Sequence, residues 1–280
     1  MENNIVVFYH ARCLDGFSSA WVLWKKFGDE ADFIPVSDHH HYPEGLIENK
    51  IIYMVDFVFS EEVFNQIKNN AEKIIALDHH ETVENVIKQA DDYLYSTDKS
   101  GATLAWEYFF KDEDVPTFLK YVEAIDLYNF EDLEKTKEIL AFVDAEEMNF
   151  ANWNGLVDRF DNQKDLEEIF KIGGYILNFK ENIISSIISK AYEVSFEGYR
   201  ALAVNCTAFI SDVGHELYTE KPPMSIIWSE RRYGIKVSLR SDGSVDVGEI
   251  AKKYDGGGHR AAAAFKLPLS EKENLPWHRV

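Results

Sequence analysis

Two short runs place carboxylate and imidazole side by side: Asp38, His39, His40 and His41 in VSDHHHYPEG, and Asp78, His79 and His80 in KIIALDHHETV. A hard divalent cation takes carboxylates and a few imidazoles, and two such ions at short range need a carboxylate shared between them. Further donors of this kind are His10, Cys13 and Asp15 in HARCLD, Asp56 in MVDF and Asp126 in AIDLYNF. Each taken alone has an ordinary explanation, because an aspartate after a strand is usually a helix cap or a turn residue. Their weight depends on convergence, and therefore on the elements that carry them.

NIVVFYH reads as a short strand, and DGFSSAWVLWKKFG follows with Phe17, Ala20, Trp21, Leu23, Trp24 and Phe27 at helical spacing. The alternation returns in DFIPV, in KIIYMVD before the helical SEEVFNQIKNN, and in KIIALD before another helical stretch. Strands alternating with helices predict a doubly wound, mainly parallel sheet, whose ligands sit beyond the carboxyl ends of its strands. His10 to Asp15, Asp56, and Asp78 to His80 all fall at that edge. The Asp38 to His41 run follows DFIPV and precedes Pro43 and Gly45, so it reads as a solvated loop. Adjacent histidines on an extended loop point in different directions, and no carboxylate partner faces them.

From Ser100 the chain is largely helical, with Gly173 and Gly174 predicting a bend before a long connecting helix. After Phe196 it turns to strands in YRALAVNC, SIIWSE and YGIKVSLRS, then to a helical DVGEIAKKY. The expected division is a metal-binding α/β domain over 1–130, a helical connector over 131–194 and a smaller α+β domain over 195–280. Ser100 or Asp98 is expected to cap the helix near Gly101, His215 to lie at the surface, and His278 to lie in a mobile tail.

The 280-residue chain is 46% hydrophobic and 14% aromatic, which fits a folded protein with a sizeable core. Its formal charge of −20 argues against long duplex nucleic acid and anionic membrane as partners, while a short phosphate ligand in a metal-lined pocket remains compatible. The two cysteines, Cys13 and Cys206, build no disulfide framework. With no apparent signal peptide or spanning segment, the expected location is cytoplasmic.

HARCLDGFSSAW, MVDFVFS, LDHHETV, STDKSGATLAW, AIDLYNF and GGGHRAAAAF occur in the order of the motifs of the DHH phosphoesterase superfamily. The chain resembles the branch with the DHH-associated C-terminal domain, which includes RecJ-like exonucleases, nanoRNA oligoribonucleases and cyclic-dinucleotide phosphodiesterases. The resemblance implies a hydrolase with two divalent ions, usually manganese, with magnesium, iron or zinc as alternatives. It implies that Asp56 bridges both ions, that His10 and Asp126 serve one, and that Asp15 and His79 serve the other. It further makes His80 the phosphate-binding histidine and Asp78 the residue that orients an imidazole.

GGGHR alone reads as a turn before a buried strand, although three glycines also let the backbone approach a phosphate and present N–H groups. By resemblance, Gly256, Gly257, Gly258, His259 and Arg240 hold the substrate. Departures from the pattern are Ala261 and Ala264 where glycine is frequent, Asp255 beside the glycines, and Cys13 where the family commonly has an aspartate. Cys13 stands open between a ligand suited to zinc or iron, a neutral wall residue and a small buried hydrophobe. The expected function is hydrolysis of phosphodiester or phosphate ester bonds in short oligonucleotides or small nucleotides. The alternative is a non-catalytic nucleotide-binding regulator, and pairing of helical faces allows a homodimer.

Overall fold

The structure, a computed structural model, describes residues 3–43, 45–130 and 133–280. The first half alternates β1 (Ile5–His10), α1 (Leu14–Phe27), β2 (Ala31–Val36), β3 (Ile51–Val55), α2 (Glu61–Asn70), β4 (Lys73–Asp78), α3 (Glu84–Ile87) and β5 (Asp92–Tyr95). The five strands form a parallel sheet in the order β2-β1-β3-β4-β5. The winding reverses between β1 and β3, so the crevice of the sheet opens where His10 and Asp56 leave it. Central strands are apolar on both faces, as strands covered on both sides must be: Val6, Val7 and Phe8 in β1, and Ile74 to Leu77 in β4, are buried. Pro35 is accommodated because β2 is an edge strand.

Helices α4 (Gly101–Phe109), α5 (Thr117–Asp126), α6 (Thr136–Val143), α7 (Phe150–Phe160) and α8 (Gln163–Ile188) follow. Phe8, Ile52, Met54 and Phe64 belong to one core, on the α2 side of the sheet. Val7, Val55 and Leu77 belong to another with Trp21 of α1, Trp106 of α4, Phe118 of α5 and Trp153 of α7. Trp153 is fully buried, packs edge-on against Phe17 at 4.9 Å, and donates its indole N–H to Ser18 Oγ at 3.0 Å.

The chain divides into two compact units, Met1–Leu177 and Asn178–Val280. The helices expected as a connector are shared between them: Ile139, Trp153, Leu156 and Ile169 fill the first unit's core, whereas Ile184 packs with Val204 and Val213 in the second. Gly173 makes no bend, because α8 continues through it. It instead allows a close crossing, since a Cβ there would stand 2.1 Å from the Glu138 carbonyl oxygen.

The second unit contains β6 (Tyr192–Phe196), β7 (Tyr199–Asn205), α9 (Ile210–Glu220), β8 (Met224–Arg231), β9 (Gly234–Ser241), α10 (Val247–Lys252), β10 (Gly257–His259), β11 (Ala262–Leu267) and β12 (His278–Arg279). Its seven strands are ordered β10-β11-β9-β8-β7-β6-β12, and β7 with β8 is the parallel pair. The fold is therefore an α/β unit followed by a smaller α+β unit. β6, which reads as the tail of a helix, is a strand because Val194 and Phe196 alternate into the core and Glu197-Gly198, both at positive φ, close a hairpin onto β7. His278 is not in a mobile tail: it pairs with Ser195, next to Trp277, which is only 5% exposed.

Replacing Trp153 with alanine is expected to cost the first unit about 3–5 kcal/mol in unfolding free energy. Urea denaturation followed by far-UV circular dichroism measures it, and a loss below about 1 kcal/mol would remove α7 from that core.

Candidate metal centre

Asp56 directly follows β3 and turns out of it with φ of 51°, a left-handed conformation that aspartate tolerates better than most side chains. Its N–H donates to the Leu77 carbonyl at 2.9 Å, which fixes the turn to the adjoining strand. The carboxylate is 1% exposed and meets a different imidazole with each oxygen: Oδ2 is 3.4 Å from His10 Nδ1, and Oδ1 is 3.2 Å from His79 Nε2.

Asp78 ends β4 fully buried. Its Oδ1 accepts from the backbone N–H groups of His79 and His80, at 2.6 and 2.9 Å, and lies 2.7 Å from His80 Nδ1. One carboxylate oxygen thus sets both the turn of the chain and the orientation of the His80 ring. Asp15, in the first turn of α1, accepts from the N–H groups of Gly101 and Ala102 at 2.6 and 2.9 Å, using the unpaired donors at the start of α4. Asp126, the last residue of α5, brings Oδ2 to 3.3 Å from His79 Nε2.

Among the described residues, three groups bring one donor atom from each member within 4.8 Å of the others: His10, Cys13 and Asp56; Asp15, His79 and Asp126; and Asp56, Asp78, His79 and His80. Every ligand candidate of the first unit is therefore brought together. The arrangement differs from expectation in one respect, because Asp126 stands with Asp15 and His79 rather than with His10. The cause is packing, as α5 lies against α1 and α4 and so delivers Asp126 on the side of Asp15.

The buried charges shift one another. Burial alone would raise the Asp56 carboxyl, but His10 and His79 hold it at about 2. Burial pulls His79 down, and the hydrogen bond to Asp56 with the charges of Asp15, Asp56 and Asp126 pushes it up to about 9. Asp15 is well above the ordinary carboxylate range through burial and the charges of Asp56 and Asp126. The hydrogen bond to Asp78 raises His80, while burial and the Asp56 charge push the Cys13 thiol up to about 12.

Asp78 Oδ2 is buried without a hydrogen-bond partner among the described residues, and Asp56 Oδ2 has only the long, poorly aligned approach of His10 Nδ1 at 3.4 Å. Oxygens buried in this way are costly unless a cation or donor meets them, so the donor set fits divalent ions.

Sequence reasoning missed Gly101. A Cβ at this position would stand 2.7 Å from Asp56 Cβ and 2.9 Å from Asp15 Oδ2, so only glycine lets α4 begin so close to both carboxylates. The signal was present in KSGAT, next to the capping Ser100, whose Oγ accepts from Thr103 N–H. The Asp38 to His41 loop is exposed throughout, as a solvated loop is, and is braced by local contacts. His40 N–H donates to Asp38, and His41 Nδ1 lies 2.7 Å from it. The His39 ring stacks on Phe57 at 4.4 Å with Nδ1 2.8 Å from the Val58 carbonyl oxygen.

In the second unit, Arg240 of β9 with Gly257 and Gly258 of β10 lines a hollow of about 250 Å³, and Gly256 lines a neighbouring one of about 540 Å³. His259 is exposed on β10, and His215 makes a local contact with Tyr218 on α9.

A family model described as the DHHA1 domain matches residues 211–276. Over 300 residues the chain is 28% identical to an uncharacterized protein of Acanthamoeba polyphaga mimivirus, covering 98% of this chain and 70% of that one. Among solved structures it is similar to PggH, a pGpG-specific phosphodiesterase from Vibrio cholerae, with TM-score 0.56, 14% identity and coverage of 98% and 96% of the two chains. RecJ from Thermus thermophilus in complex with Mn2+ superposes with TM-score 0.51 and 12% identity, over 95% of this chain and 50% of RecJ.

Two outcomes are expected from this geometry. Ligation requires neutral imidazole and ionised carboxylate, whereas at pH 7.5 the metal-free protein carries a protonated His79, given its value of about 9. Binding of Mn2+ at pH 7.5 therefore releases about one proton or more, and less as the pH rises past 9. Calorimetry in buffers of different ionisation enthalpy counts the protons, and binding without release would refute the assignment of His79. Gly101→Ala is expected to weaken Mn2+ affinity by about tenfold or more, since outer supports of metal ligands typically matter by 10–100-fold; unchanged affinity would mean the close approach is not required.

Proposed function

We propose that this chain, which carries a DHHA1 domain on the fold of the DHH superfamily, is a metal-dependent phosphoesterase acting on short oligonucleotides or small nucleotides. One observation carries the reading: the two oxygens of buried Asp56 face separate donor groups, His10 with Cys13 on one side and His79 with its carboxylate neighbours on the other. A carboxylate shared between two ions needs that arrangement.

His10 and Asp56 would hold one divalent ion, and Asp15, Asp56, His79 and Asp126 the other. Bound there, such ions supply an activated water and offset negative charge on a phosphoryl group. The protein's own contribution is orientation. Asp78 holds His80 by ring and backbone together, and a His80 whose affinity for its proton is raised suits donation to a phosphoryl oxygen. Gly101 and Ala102 aim the Asp15 carboxylate through their N–H groups.

Cys13 stands with His10 and Asp56 and offers its sulfur on that side, where a bound cation would lower a thiol that burial and the Asp56 charge otherwise hold at about 12. Manganese is favoured by the carboxylates and imidazoles that make up most of the donor set, and the manganese complex of RecJ supports the choice. Arg240 and Gly256 to Gly258 would bind the remaining phosphate and base. A short substrate is supported by the pGpG specificity in the name of the Vibrio cholerae protein and by the −20 net charge, which disfavours long polyanions. Among the described residues no helix is long and apolar enough to cross a membrane, and two free cysteines suit a reducing compartment such as the cytosol.

The deciding experiment screens purified protein with Mn2+ against pGpG, di- to pentanucleotides, cyclic dinucleotides, nucleoside phosphates and pyrophosphate. Metal-dependent turnover of a short nucleotide is expected. Asp56→Asn should reduce it about 10²-fold or more, and Asp78→Asn about 10–100-fold. Absence of turnover on every substrate by metal-loaded protein would overturn the reading in favour of a binding protein.

A further inference from the structure

Side chains alternate along β9 and β11, and the two faces of that strand pair differ sharply. Ile235, Val237, Leu239, Ala263, Phe265 and Leu267 point into the core. Lys236, Ser238 and Arg240, with Ala262, Ala264 and Lys266 across from them, share the opposite face. On this face Ser238 is buried, Arg240 and both alanines are half-buried, and both lysines are exposed.

The antiparallel register sets Lys236 directly opposite Lys266. Like charges facing each other across a sheet repel, and these two have no ion pair among the described residues. Elsewhere in the same unit Lys221, Lys252, Lys253 and Lys272 each hold a glutamate at 2.5–2.7 Å. In a chain of net charge −20, two unneutralised lysines held face to face form a site that an anion would stabilise.

The site is a shallow depression, open to solvent and continuous with the glycine segment. Lys236 and Lys266 line the hollow of about 540 Å³, with Asp255 the one carboxylate in its wall. Lys236 and Ala264 also line the hollow of about 250 Å³ that holds Arg240, Gly257 and Gly258, so the two adjoin. Small alanine side chains keep the floor between them low. The Arg240 head is held by a bond from Nη2 to Ser211 Oγ at 3.2 Å. Lys236 lies four residues before it, about 13 Å along the strand, a span that exceeds one phosphate group.

We propose that Lys236 and Lys266 form a second anion subsite, which takes the phosphates of a nucleotide strand extending beyond Arg240 and the glycines. The identity of the ligand rests on the function proposed above. The consequence is a length preference: strands of three or more nucleotides bind better than dinucleotides, and the site has nothing further to offer to a mononucleotide.

The test compares an end-labelled pentanucleotide and dinucleotide by fluorescence anisotropy over a salt series, with chelator present so that hydrolysis does not intervene. Wild type should bind the pentanucleotide about tenfold or more tightly, with a salt slope that reflects about 0.7 ion per strand phosphate engaged. The double variant Lys236→Gln/Lys266→Gln should remove that advantage, lower the pentanucleotide slope by about 1 or slightly more, and cost the dinucleotide several-fold less affinity than the pentanucleotide. Lys236→Arg/Lys266→Arg should retain the advantage, because charge rather than side-chain shape is required. Equal losses for both lengths, an unaltered pentanucleotide affinity in the glutamine variant, or no length preference in wild type would each overturn the subsite. Length-dependent binding together with a failed hydrolysis screen would overturn the enzyme and leave the subsite standing.

Discussion

A carboxylate buried at a left-handed turn, with an imidazole against each of its oxygens, is the constraint to which the first unit is built. Asp56 cannot be ionised in that position without partners, because an isolated buried charge is several kcal/mol unfavourable. His10 arrives from β1 and His79 from β4, on either side of β3. A parallel sheet that is apolar on both faces supplies the rigidity that keeps these three strand ends in register. Asp15, Asp78 and Asp126 add further carboxyl groups, and the imidazoles of His79 and His80, both raised by their carboxylate neighbours, answer part of them. Asp78 Oδ2 has no hydrogen-bond partner among the described residues, and the remaining carboxylate charge is of the kind that divalent cations would answer.

The same constraint explains why α4 starts where it does. Its first two N–H groups are occupied by Asp15, and its first residue is a glycine because a methyl group would collide with Asp56. A helix start that would otherwise need its own capping partners takes one of them from α1, and the two helices are thereby locked around the site. The aromatic packing of α1 with α7 behind it holds the other end of the arrangement.

The second unit solves a different problem with a different device. Its sheet is mostly antiparallel, so side chains alternate between a filled core on one face and, on the other, a smaller cluster against α9 beside a more exposed stretch. On that stretch the chain keeps three basic heads near a glycine-rich edge strand, in a protein whose charge is otherwise strongly negative. Positive charge is thus spent locally, at hollows of limited size, rather than along a track that would serve a long polymer.

Much of this was legible in the sequence. Short β-branched strands alternating with amphipathic helices specify a doubly wound sheet, because local periodicity reports directly which elements are buried on both sides. The same logic put His10, Asp15, Asp56 and the Asp78 to His80 run at one edge. Less legible were β5 and β6, short segments whose strand state depends on neighbours, and the anchoring of the C-terminal segment through Trp277. Gly101 and Gly173 look like a helix start and a bend, and their close approaches exist only when two helices meet. The two Asp-His-His runs are alike as strings. The sequence by itself determined that one ends an apolar strand and the other sits in a polar loop. Only the tertiary structure decided that Asp126 stands beside His79, that His39 braces Phe57, and that Lys236 faces Lys266, because each is a contact between segments that chain-local chemistry does not couple.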